Sequence, residues 1–101
     1  MEGQASISTD ILARYAADAA GEVEGVRGLS ESSIPGRRGG VRVSSEETGV
    51  RVELHLVVDW NASVPAVGRE VQERVREYLV RMADVEPASV DVIVEEIGPR
   101  Q

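Results

Sequence analysis

The residues of this chain best equipped for chemistry are few and poorly placed for it. His55 is the only histidine and cysteine is absent, so imidazole and thiolate together offer a metal one ligand. It lies between two leucines in the run VRVELHLVVDW, at a strand position opposite the apolar side, which reads as a surface or interface histidine. Glu46–Glu47 and Glu95–Glu96 are carboxylates adjacent along the chain. On extended backbone such neighbours point to opposite faces, so neither forms an acid–base pair. Ser30, Ser32 and Ser33 lie in a Gly/Ser/Pro-rich stretch with nothing resembling a nucleophile elbow or a catalytic triad. No catalytic residue, metal-ligand set or cofactor is therefore predicted. The segment PGRRGG sets Arg37 and Arg38 among glycines, making them candidate contacts for a phosphate or lipid headgroup. It is not a P-loop, because no Lys-Ser/Thr follows and a strand comes next. The plainer reading is a mobile connector.

Those residues need elements to position them, and the clearest runs from Val50 to Trp60. Val50, Val52, Leu54, Leu56, Val58 and Trp60 share one face of an extended strand. Arg51, Glu53, His55 and Asp59 share the other, with Val57 the exception. Before it, residues 40–46 predict a strand and Glu46 to Gly49 a four-residue hairpin loop. That register sets Val43 against Val52, Val41 against Leu54 and Arg42 against Glu53. A slip by one residue would mix the two faces. A first helix is expected over 8–24, capped by Ser8, with Ile11, Leu12, Tyr15, Ala16, Ala19 and Val23 at helical spacing. A second is expected over 63–84, with Pro65 in its first turn and Val64, Val67, Val71, Val75, Leu79 and Met82 as its stripe. Pro87 closes it, and residues 89–97 form the last strand, Val90, Val92 and Val94 inward and Ile93 and Ile97 outward. Residues 28–40 are expected to be a mobile loop.

The order helix–strand–strand–helix–strand predicts a single α+β domain over 1–101: a three-stranded mixed sheet with two helices packed on one face. The last strand returns parallel to the second, at either edge. The uncovered face, with His55, Val57, Trp60, Ile93 and Ile97, is the candidate interface, and self-association is the simplest way to cover it.

Composition narrows the partners. The net charge of −7, from 18 acidic and 11 basic residues, opposes attraction to nucleic acid or an anionic bilayer. The outline shares its helix–strand arrangement with RNA-binding KH domains, but their clamping GxxG loop is absent. No basic leader or membrane-length apolar run occurs, so direct membrane insertion is not expected and the cytoplasm is the expected location.

The segments EVEGVRGLS, GVRV, VRVELHLVVDW, SVPAVGREVQERVREYLVRM and VDVIVEEI, in this order, resemble the alkaline-shock-protein family of bacterial envelope stress response proteins. The likeness covers about residues 5–97. It implies a cytoplasmic, self-associating protein without known catalysis. Some members are held at the inner face of the membrane by a separate membrane protein; others are linked to control of fatty-acid synthesis. The expectation is thus an envelope scaffold or adaptor with a membrane-protein anchor. The alternative is a cytoplasmic regulatory module for an enzyme of lipid synthesis or an anionic ligand. Two loops depart from the pattern. SESSIPGRRGG is shorter than the usual linker, and Met82-Ala83-Asp84-Val85 stands where many members carry a methionine–threonine–glycine–leucine turn.

Overall fold

A computed structural model describes residues 7–30 and 40–99. Its elements in chain order are α1 (Thr9–Gly21), β1 (Val26–Leu29), β2 (Val41–Glu46), β3 (Gly49–Val58), α2 (Val64–Ala83) and β4 (Ser89–Ile97). Arg37 and Arg38 lie outside the described residues, as does most of the expected loop.

Both helices begin where the sequence offers a hydroxyl. The Ser8 side chain accepts from the Ile11 amide at 3.2 Å, and Ser63 accepts from Ala66 at 3.4 Å, each satisfying a donor that the first turn leaves open. Leu12, Ala16, Ala19 and Ala20 form the buried stripe of α1, and Val67, Val71, Val75 and Leu79 that of α2. The alanines let α1 approach its neighbours closely. The helices meet through Tyr15 and Tyr78, edge to face at 5.7 Å between ring centroids, and through an Arg74–Glu22 ion pair at 3.6 Å. Helix α2 ends at Asp84, the one described non-glycine residue with positive φ, at φ 55° and ψ 38°. Its amide and that of Val85 donate back to Val80 and Leu79, closing the last turn.

Strand β3 is the centre of the sheet and pairs with all three other strands. The β2–β3 hairpin has the expected register, Val43 on Val52, Arg42 on Glu53 and Val41 on Leu54. The α+β architecture is present, and β4 runs parallel to β3 as expected. The sheet gains a fourth strand, however. Residues 26–29, expected to close the helix region and open a loop, form β1 and pair antiparallel with the far end of β3. Four residues interrupted by Gly28 carry no legible period. They pair because β3 runs beyond the end of β2 and offers ladder groups there. A strand has two edges, so two of the three partners must share one. The His55 amide donates to Gly40 at 2.8 Å and its carbonyl accepts from Ser30 at 2.7 Å. Both groups of one strand residue point to the same edge. Strands β1 and β2 therefore lie end to end along one edge of β3, meeting at His55, with β4 on the other.

Val52, Leu54, Leu56 and Val58 carry β3 into the core beneath the helices. The other face carries Glu53, His55 and Val57, and there β4 departs from regular pairing. Leu56 pairs with Val94 but Val57 with Glu96, so Glu95 is the extra residue of a bulge. The bulge has a readable cause. Without it Glu96 would pair with Val58, on the apolar side. With it Ile97 takes that place and Glu96 stays on the open face. This corrects the expected position of Ile97, which no longer shares a face with Ile93.

Candidate functional site

The bulge and the meeting of β1 with β2 bring together four polar side chains that lie far apart in the chain. Alternation along β3 sets Glu53 and His55 on the open face, two residues apart. The bulge swings Glu95 to the same place from β4, and the end of β1 delivers Ser30. His55 Nε2 contacts Glu53 Oε2 at 2.7 Å, and its Nδ1 contacts Glu95 Oε1. The Ser30 hydroxyl donates to Glu95 Oε2 at 2.9 Å. His55 is 6% exposed and Ser30 8%, so the centre of this group is shielded from water. Glu53, His55 and Glu95 each make at least one further interaction besides these.

His55 is therefore not a surface histidine. Its main chain ties β1 and β2 together and its ring is clasped by carboxylates from β3 and β4. Gly40 makes room for this. Its φ is +76°, and a Cβ there would stand 2.5 Å from the Ser30 carbonyl oxygen and 3.0 Å from that of His55.

The geometry limits the chemistry. Each ring nitrogen meets its own carboxylate on opposite sides of the imidazole, so the three groups do not converge on a point that an ion could occupy. Among the described residues no set of three or more His, Cys, Asp or Glu is arranged to hold a metal. The Ser30 hydroxyl gives its hydrogen bond to the Glu95 carboxylate rather than to His55, and at this burial it is shielded from anything in solution. The arrangement ties three strands together.

A second polar group lies further along the same face. A pocket there is lined by Arg42, Ser44, Glu46, Arg51, Glu53 and Asp91. Arg51 reaches Ser89 Oγ at 3.2 Å, Asp91 at 3.4 Å and Glu46 at 3.9 Å, linking β2, β3 and β4. These groups are about half exposed, so the pairs add little stability. Glu53 stands opposite Arg42 in register, yet turns its carboxylate to His55.

The remaining interface candidates are dispersed. Val57 is half-buried, and Ile93, at 37% exposure, pairs opposite His55 on the open face. Trp60, at 51%, follows the end of β3, and Ile97, at 55%, pairs with Val58 at that same end of the sheet. The structure thus brings Trp60 and Ile97 to one end of the sheet and leaves Ile93 and Val57 on its open face. Sequence reasoning missed Ser30, Glu53 and Glu95 as partners of His55. The doubled acid at Glu95–Glu96, which breaks the alternation of VDVIV, was the one signal of the bulge.

Comparison with known proteins bears on the chain as a whole. A family model described as the alkaline shock protein 23 family, of cell envelope-related function, matches residues 1–99. The uncharacterized protein YqhY of Bacillus subtilis (strain 168) is 28% identical over 99 residues, covering 89% of this chain and 73% of its own. The uncharacterized protein Spy1614 of Streptococcus pyogenes serotype M6 is 27% identical over 107 residues, covering 95% and 88%. Among solved structures, a MamM CTD variant superposes with a TM-score of 0.61 at 18% identity, covering 93% of this chain and 85% of that one. A MamM CTD zinc form gives 0.56 at 20% identity, covering 91% and 86%. At such identities the likeness is one of fold.

Proposed function

The chain belongs to the alkaline shock protein 23 family, with its cell envelope-related function, and from that premise we propose that it works by binding rather than by catalysis. In this reading it is a self-associating scaffold or adaptor for the envelope, held to the inner face of the membrane by a membrane-protein partner. The observation that carries it is the state of the polar side chains on the open sheet face. The buried ones, His55 and Ser30, are bound within one cluster and shielded from solvent. Large apolar side chains, Trp60 and Ile97, stand exposed instead. Tryptophan is among the residue types in which protein contacts concentrate their binding energy. No helix among the described residues is long and apolar enough to cross a membrane.

Sedimentation equilibrium of the purified full chain tests the self-association. Concentration-dependent assembly at micromolar levels is expected, with Trp60→Ser and Ile97→Ser each weakening it by about tenfold or more. A wild-type chain that stays monomeric at 100-fold higher concentration overturns that part of the reading.

A further inference from the structure

The clasp around His55 contains a protonation requirement. A carboxylate can only accept a hydrogen bond, and the imidazole presents one nitrogen to each of two carboxylates. Both contacts are hydrogen bonds only when both nitrogens carry hydrogen. A ring with a single proton turns a lone pair towards one carboxylate oxygen. We propose that this clasp is a proton-operated fastener of the sheet: complete while the ring holds both protons, it opens on the Glu95 side when one is lost, and so loosens the junction of β1 and β2.

Two features place the opening at Glu95. Glu53 is fixed on β3 itself, two residues from His55, whereas Glu95 is the extra residue of the bulge, inserted between the positions paired with Leu56 and Val57. Glu95 also holds the Ser30 hydroxyl, and the Ser30 amide is bonded to the His55 carbonyl. Loss of the Glu95 contact thus reaches the end of β1 through one residue.

Among the described residues, the charged groups near the ring come from three strands. Strand β3 gives Glu53 and, further along, Arg51. Strand β4 gives Glu95, its neighbour Glu96 on the same open face, and Asp91, the last paired with Arg51. Strand β2 gives Arg42, opposite Glu53 in register. Just past β1, Ser30 gives its hydroxyl, and Ile93, across from His55, carries no charge. Glu31, Arg37 and Arg38 lie between Ser30 and Gly40, outside the described residues. The helices pack on the other face. The fastener does not depend on the scaffold reading.

Nuclear magnetic resonance on the full chain tests it. The pH titration of the His55 ring is followed by its Cε1–H signal, and hydrogen-exchange protection of the Ser30 amide is measured over the same range. Ser30 protection is expected to fall by about tenfold or more as the ring gives up its proton, with the same midpoint. The amide of Val71, in the core of α2, should keep its protection throughout. In Glu95→Gln the ring still titrates but the Ser30 response should vanish. Ser30 protection that ignores the wild-type His55 titration overturns the proposal. So does a Glu95→Gln chain that keeps the wild-type response.

Discussion

Leu54 stands at the middle of β3, fully buried, with Val41 on one side and Val92 on the other. Cutting it to alanine leaves a void that these neighbours cannot fill without moving their strands. Leu54→Ala should therefore lose about 2–5 kcal/mol in urea unfolding, while Ile97→Ala, at an exposed position, should change stability by less than about 0.5 kcal/mol. Gly40 tests a different kind of residue. Gly40→Ala forces a Cβ against the Ser30 carbonyl at a positive φ, and a loss of roughly 1–3 kcal/mol is expected in the same measurement. At this scale the core was legible, because Val52, Leu54, Leu56 and Val58 declare themselves by alternation. The His55 clasp was not. Its partners lie 2, 25 and 40 residues away, and the two distant ones depend on features that no local pattern announces. The interval to Ser30 is closed by a strand of four residues, and the interval to Glu95 by a bulge.

The element scale shows where local pattern and fold disagree. The doubled acid at Glu95–Glu96 cannot continue the alternation of Val90, Val92 and Val94, and the bulge absorbs the mismatch. Deleting Glu95 removes the extra residue and leaves Glu96 opposite Val57 and Ile97 opposite Val58 as before. The ladder should survive, with an unchanged far-ultraviolet circular dichroism spectrum. Stability should nevertheless fall by about 1–3 kcal/mol, because a shielded ring nitrogen and the Ser30 hydroxyl lose their acceptor. If the bulge served register alone, the deletion would be neutral or stabilising. The end of α2 makes a second case. The departure from the family pattern at Met82-Ala83-Asp84-Val85 puts an aspartate where the chain turns left-handed. Asp84→Gly should raise stability by about 1 kcal/mol in thermal unfolding, since glycine takes that conformation without steric cost. The helices themselves were readable from caps and stripes, although α1 ends at Gly21 rather than near residue 24. Strand β1 was hidden by its length and by Gly28.

For the molecule as a whole, one face of the sheet is covered by helices and the other is sealed in part by its own polar side chains. Ion pairs and the His55 clasp knit β1, β2, β3 and β4 across that face, while exposed apolar groups stand at one end of the sheet. This division suits a protein whose surface is its working part, and the family's cell envelope-related function gives that surface a setting. The net charge of −7 opposes direct binding to an anionic bilayer, so in the proposed function membrane association runs through a protein. The most direct test is where the tagged chain goes when native cells are broken and fractionated, before and after a salt wash. Recovery with the membranes is expected, surviving the wash and lost when crosslinkable membrane proteins are first removed by protease. Complete recovery in the soluble fraction, under growth and under envelope stress alike, would contradict the proposed function.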